Sequence, residues 1–193
     1  LLPAEAPRDA REEVLAGLVA MNARWNAWKP GDVDDLNAAL RNGRPHVTPP
    51  ALRRMIESAA ALERASQGHF NPAIGAWVGG WGFHDDVLRP GAGPDAAAIA
   101  RWRTQRPSLQ QLRLCGNVVS SANRHVQIDL GAYAKGVALD MAVAQARREK
   151  ADLVMGTDPD CDRLAIVVRH QNDYVFLNGN QVGTLLADYI ING

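Results

Sequence analysis

The stretch that most constrains this chain covers residues 128–140 and reads IDLGAYAKGVALD. Residues 125–128, which lead into this stretch, have the apolar and partly alternating pattern of a half-buried strand. Gly131 interrupts that pattern. Apolar residues recur at helical spacing from Val137 onward, and a helix is predicted to begin near Tyr133. The sequence therefore predicts a tight turn from a strand into a helix.

Three residues with functional potential lie on this turn: Asp129, Ala132 and Lys135. Backbone N–H groups at a helix N-terminus attract anions, and a lysine adds a point charge suited to phosphate. One interpretation is therefore an anion-binding turn. The alternative, which the residues alone leave open, is that Asp129 caps the helix and Lys135 is solvated on the first turn.

Length and charge set broad limits on what the chain can be. Its 193 residues are enough for one domain, or one domain and a piece of another. The formal net charge is zero, which argues against a nucleic-acid or anionic-membrane surface. Cys115 and Cys161 do not make a disulfide framework, no apolar run approaches a membrane span, and no signal peptide is recognised. Oligomeric state stays open.

Three helices are predicted in the first third of the chain. The first covers about residues 9–28, and the second ends at Asn42 and Gly43. Thr48 is predicted to cap the third helix, which ends at Gly68. The residues of the third helix expected to face the core are Leu52, Met55, Ile56, Ala59 and Leu62.

Residues 66–83 are rich in glycine and aromatic side chains and contain few charges. This composition is typical either of a buried loop packed by Trp77, Trp81 and Phe83, or of a pocket wall where the backbone approaches a flat ligand.

A hairpin about Gly116 and Asn117 follows further along the chain. We expect a single sheet built from residues 112–114, 118–120, 126–129, 153–156 and 164–168.

Four blocks of sequence together resemble one known family. They read WNAWKPGDVDDLN, SQGHFNP, WGF and DLGAYAKG, in that order. The blocks and their order are similar to those of the ApbE family, the FAD:protein FMN transferases, over about residues 8–149. The resemblance implies an α+β fold, with a mixed sheet and packed helices. It also implies magnesium-dependent transfer of FMN from FAD to a protein threonine, with AMP as the leaving group.

The same resemblance implies site residues. Those expected to contact FAD are Trp28, His69, Phe70, Asn71, Asp129 and Lys135. Trp28 stands where the family has a flavin-stacking tyrosine, and an indole can also stack on a flat ring. Asn71 stands where the family usually has aspartate, so a charged contact is lost. The backbone carbonyl of Ala132 would bind magnesium, which prefers oxygen ligands.

The resemblance to the flavin transferases ends at Glu149. The family's later metal ligands and its candidate histidine have no counterpart in the chain, so no catalytic residue is assigned. We therefore expect FAD binding without efficient FMN transfer.

The last part of the chain has a different character. Two apolar strands flank an acidic loop in which Asp158, Asp160 and Asp162 alternate with other residues. Carboxylates this close repel one another unless a cation joins them, and oxygen-only ligands suit magnesium. The alternative is a solvated acidic turn, in which Asp158 forms an Asx-turn before Pro159.

This final segment, residues 150–193, resembles the metal-binding loop of the phosphoglucomutase/phosphomannomutase family through the text DPDCDR. The phosphoserine loop that a mutase cycle needs is not in the chain, so mutase activity is not expected. Residues 1–149 are thus interpreted as a flavin-binding region and residues 150–193 as a metal-loop segment. The two meet without a linker, which suggests a junction of two unrelated genes.

Three functions follow as hypotheses: a flavin transferase, a mutase-like metal-binding fragment, and a folded chimera without activity. The expected partners of the first are FAD, Mg²⁺ and a flavin-acceptor protein. Its family implies a periplasmic or cell-envelope location, whereas the tail's family implies the cytoplasm. The first strand of the tail is expected to enter the sheet of the flavin-binding region and to complete its core.

Overall fold

A computed structural model describes residues 8–85, 87, 91, 93–157 and 164–192. The helices are α1 (Arg8–Trp25), α2 (Asp32–Arg41), α3 (Pro50–Ala65), α4 (Gly75–Gly80), α5 (Ala96–Gln105), α6 (Gly131–Arg148) and α7 (Gly179–Asn192). The strands are β1 (His46–Val47), β2 (Leu112–Cys115), β3 (Val118–Ser121), β4 (Leu153–Thr157), β5 (Leu164–His170) and β6 (Asp173–Leu177). The α+β prediction is confirmed. Among the described helices, none has the length and apolar character to cross a membrane.

The strands form two small antiparallel sheets, with the orders β1–β3–β2 and β4–β5–β6. The predicted hairpin between β2 and β3 is present, and Gly116 in its turn has a positive φ of 55°. The prediction of a single sheet is wrong, because β4 pairs with β5 and not with a strand of the first sheet. The prediction of a strand at residues 126–129 is also wrong. This segment makes one isolated parallel bridge, between Ile74 and Gln127.

The chain divides into two compact units. The first contains residues 18–136, and the second contains residues 137–192 with the start of α1 up to Gly17. The sequence suggests a different boundary, at residue 149, where the resemblance to the flavin transferases gives way to the resemblance to the mutases. That division into two segments stays a prediction. Helix α6 begins in the first unit and ends in the second.

A continuous set of fully buried side chains forms the core of the first unit. They come from α2, α3, β3 and the segment before α6, and they are Val33, Leu36, Leu40, Leu52, Ile56, Val119, Val126, Ile128 and Leu130. Of the residues predicted to face inward on α3, Met55 and Ala59 are also buried, but Leu62 is half exposed.

The predicted cap of α3 is wrong. The helix begins at Pro50 with Pro49 as its N-cap, and no side chain caps it. Thr48 lies just outside the helix and is buried, with its backbone N–H donating to the carbonyl of Asn117 at 2.8 Å. Proline at the first helical position supplies the required φ and lacks an N–H that would need a cap.

Helix α1 ends at Trp25, three residues before its predicted end at Trp28. The side chain of Asn26 accepts hydrogen bonds from the backbone N–H groups of Trp28, at 2.9 Å, and Lys29, at 3.2 Å. Such an Asx-turn competes with helical hydrogen bonding. As a result, Trp28 lies outside the helix and on the connection to α2.

Candidate functional site

The indole of Trp28 is stacked on the imidazole of His84. The ring centroids are 5.0 Å apart and the ring planes are inclined by 18°. This separation is within the range of offset-stacked aromatic pairs. Trp28 is 37% exposed even with His84 against it, so a substantial aromatic surface faces the solvent.

His84 in turn is paired with Asp129. Its Nε2 lies 3.0 Å from Oδ2 of the aspartate, and the two side chains are only 18% and 15% exposed. The other carboxylate oxygen of Asp129, Oδ1, accepts the backbone N–H of Gly131 at 2.8 Å. The aspartate thus holds both the imidazole and the first residue of α6, and the interpretation that Asp129 caps this helix is supported.

The segment that carries Asp129 is fixed by backbone hydrogen bonds to the loop before α4. The N–H of Asp129 donates to Pro72 at 2.8 Å, and the N–H of Gly75 donates to Gln127 at 2.8 Å. A Cβ atom at Gly75 would lie 2.9 Å from the carbonyl oxygen of Gln127. The close approach therefore requires glycine at position 75.

Asn37 fixes the same segment from the opposite side. Its side-chain amide donates to the carbonyl of Ile128 at 2.8 Å and accepts the N–H of Ile128 at 2.7 Å. Asn37 is 3% exposed, so these bonds are shielded from water. Asn37 is the last residue of the first sequence block, WNAWKPGDVDDLN, so that block contributes to the position of the turn.

The three neighbouring residues predicted to contact FAD have different surroundings. His69 is exposed, and Phe70 is half-buried. The side chain of Asn71 is committed to structure, since Oδ1 accepts the N–H of Ala73 at 2.9 Å and Nδ2 donates to Pro107 at 2.9 Å. The structure therefore brings Trp28 and Asp129 together through His84, and it gives Asn71 a role in shaping the loop.

Ala132 and Lys135 lie at the start of α6 and are both exposed. The predicted ligands Asp158, Asp160 and Asp162 lie outside the described residues. Within the described ranges, no group of three histidine, cysteine, aspartate or glutamate side chains is placed to hold a metal ion.

Sequence reasoning missed His84. This residue directly follows the Trp-Gly-Phe block, so a titratable side chain at the end of a glycine-rich aromatic stretch was the available signal. No local pattern pairs it with Trp28 or with Asp129, because both contacts are long-range.

Comparisons with known proteins find one family that matches most of the chain. The model of the ApbE family matches residues 3–155. An FAD:protein FMN transferase of Rhodobacter capsulatus is 39% identical over 143 residues, which are 74% of this chain and 27% of that protein. The apo crystal structure of a flavinyl transferase, ApbE of Pseudomonas stutzeri, aligns with a TM-score of 0.67 at 21% identity, covering 92% of this chain and 62% of that one.

A second similarity covers a shorter segment. A phosphoglucomutase of Staphylococcus aureus is 47% identical over 55 residues, which are 28% of this chain and 10% of that protein. The chain thus spans about a quarter of the length of the Rhodobacter relative and about a tenth of the mutase.

Proposed function

The chain belongs to the ApbE family, and from this premise we propose that it is a flavin-binding protein that takes up FAD as the FAD:protein FMN transferases do. The relative from Rhodobacter capsulatus carries that activity in its name. The single observation that supports the proposal most is the exposed indole of Trp28, held against His84 and connected through it to Asp129. A fixed aromatic surface beside a helix N-terminus suits a flat ring that bears a pyrophosphate.

Each residue of the arrangement has a task in this proposal. Trp28 stacks on the isoalloxazine ring, and Asp129 positions the start of α6 through Gly131. Lys135, exposed on the first turns of α6, supplies positive charge for the pyrophosphate. His69 and Phe70 are proposed as further contacts, whereas Asn71 shapes the loop that carries them.

The proposed reaction is a phosphoryl-group transfer. A threonine hydroxyl oxygen of the acceptor protein bonds to the FMN-side phosphorus of FAD, the bond to the AMP phosphate breaks, and AMP leaves. The hydroxyl proton requires a base. None of the described residues is assigned this role.

Magnesium dependence is also proposed on the family resemblance. The candidate ligands are the carbonyl of Ala132 and the loop with Asp158, Asp160 and Asp162. Ala132 is the second residue of α6, where a carbonyl oxygen normally accepts a helical hydrogen bond.

The decisive experiment is a titration of the protein with FAD, followed by flavin fluorescence, which stacking on an indole quenches. Replacing Trp28 with alanine should weaken binding by about tenfold, since stacking contributes up to about 1.5 kcal/mol beyond burial. Trp28→Tyr should restore most of the affinity. Equal affinity of Trp28→Ala and the parent protein would show that the flavin does not use this surface.

Transfer is tested separately from binding. The protein is incubated with FAD, Mg²⁺ and a threonine-bearing acceptor peptide, and covalent flavin on the peptide is measured. We expect binding without efficient transfer. Rapid flavinylation that Lys135→Ala abolishes would contradict this expectation and would place Lys135 at the reacting phosphates. A flavin-acceptor protein and a cell-envelope location are proposed as the setting of this activity.

For the second similarity we propose a narrower function. The short match to the mutase covers 28% of the chain and supports a mutase-derived segment. We propose that this segment includes residues 150–193 and is joined to the flavin-binding region as a chimera. This segment would bind magnesium weakly through its acidic loop. Asp160→Asn should then remove any rise in melting temperature caused by Mg²⁺, while Asp140→Asn, an exposed position on α6, should leave it unchanged. Persistence of the magnesium effect in Asp160→Asn would exclude the loop as the site.

A further inference from the structure

We infer that His84 is a positioning residue for the flavin: it supports one face of the Trp28 indole, so that the flavin ring stacks on the opposite face. This inference rests on the proposed binding of FAD. It adds a residue that lies outside the four sequence blocks.

The stacked geometry defines which surface of Trp28 is left for a ligand. His84 lies against one face of the indole with a centroid distance of 5.0 Å and an interplanar angle of 18°. The face that His84 covers is closed to a further ring. Trp28 as a whole is 37% exposed, and the face of the indole opposite His84 is the one assigned to the flavin ring.

Several restraints make His84 a fixed support. Its Nε2 is paired with Asp129 at 3.0 Å, and its side chain is 18% exposed. The opposite nitrogen, Nδ1, lies against Gly79, where even a methyl group would come within 2.9 Å. A ring held on two edges and one face has little freedom to swing aside, so it acts as a support and not as a gate.

The support also connects two parts of the proposed site. Trp28 precedes α2, whereas Asp129 precedes α6, and no hydrogen bond of the described residues joins these two side chains directly. His84 contacts both. It therefore sets the orientation of the indole relative to the helix start where the pyrophosphate is proposed to bind.

The test compares FAD affinity and the visible circular dichroism of bound flavin in the full chain and its variants. His84→Ala should weaken FAD binding by about tenfold, the size expected for loss of one stacking partner. It should also change the circular dichroism of the bound flavin, because an unsupported indole no longer fixes the ring. His84→Phe keeps a flat ring beside Trp28 and should bind within about threefold of the parent. The matched control is His125→Ala, since His125 is exposed and its backbone N–H, which the substitution keeps, donates to Oδ1 of Asn123.

The outcomes separate this inference from the proposed function. If the parent chain binds no FAD, the proposed function is overturned and the inference with it. If the parent chain binds FAD and His84→Ala matches it in affinity and in circular dichroism, only the inference is overturned. Should His84→Ala not fold, His84→Phe is compared with His84→Gln, which keeps a donor for Asp129 but no ring. Tighter FAD binding by His84→Phe supports the inference, and tighter binding by His84→Gln overturns it.

Discussion

Asn37 shows how much one side chain contributes to this fold. With a donor and an acceptor it satisfies both backbone groups of Ile128, and its own carbonyl accepts the side-chain amide of Gln127 at 3.3 Å. It thereby replaces a neighbouring strand at the segment that carries Asp129. A buried polar group left without its partner costs about 1–3 kcal/mol, which makes this position sensitive.

Asn37→Ala should lower the free energy of unfolding by about 2–4 kcal/mol, because two buried backbone groups of Ile128 lose their partners. Chemical denaturation followed by far-UV circular dichroism measures the change. Asn22→Ala is the matched control, since Asn22 is exposed on α1 and should change stability by less than about 0.5 kcal/mol. Similar losses in the two variants would contradict the role assigned to Asn37.

At the scale of elements, the end of α6 is defined by a backbone motif that has no glycine. Lys150 has a positive φ of 52°, its N–H donates to Arg147 at 3.3 Å, and the N–H of Ala151 donates to Ala146 at 3.0 Å. These two bonds are those of a Schellman motif, in which the left-handed position usually holds glycine. The hydroxyl of Tyr174 lies 2.9 Å from the carbonyl of Ala146 and 2.7 Å from that of Ala151. Hydrogen bonds from Tyr174 therefore link the end of α6 to β6, although Lys150 has a left-handed conformation that is unfavourable for a residue with a Cβ.

Lys150→Gly should raise the free energy of unfolding by about 1 kcal/mol, because glycine adopts the left-handed conformation without the steric cost of a Cβ. Lys135→Gly, the same exchange inside α6, should have the opposite effect and lower it by about 0.5–1 kcal/mol. Thermal and urea unfolding of both variants provide the comparison. If Lys150→Gly lowered the free energy of unfolding as Lys135→Gly does, the left-handed conformation at Lys150 would not be strained.

At the scale of the whole molecule, the two units have separate sheets. The strands of the tail pair with each other, and none of the described strands pairs across the two sheets. The expectation that the tail enters the first sheet is therefore wrong, and its first strand, β4, finds its partner in β5. The structural match nevertheless covers 92% of the chain, against 74% for the sequence match to the Rhodobacter protein.

Removal of residues 150–193 should leave a cooperative unfolding transition, because the fully buried side chains from Val33 to Leu130 all lie within residues 18–136. Circular dichroism compares the melting temperature of the full chain with that of the shortened one. The internal control is a second shortened chain that also carries Asn37→Ala, which should lose the transition or shift it sharply downward. If the shortened chain alone shows no transition, the tail contributes to the core after all.

Short-range patterns in the sequence were enough to predict a first group of features. The α+β class, the approximate helices, the hairpin about Gly116, and the family motifs that contain Trp28 and Asp129 all follow from periodicity, turn residues and short blocks. Long-range contacts, in contrast, hold residues 126–129 through Asn37 and the loop before α4 instead of through a strand ladder. They also place His84 between Trp28 and Asp129. The physical reason is that a hydrogen bond or a ring contact between distant residues leaves no periodic trace in the chain, because it depends on where folding brings the two groups.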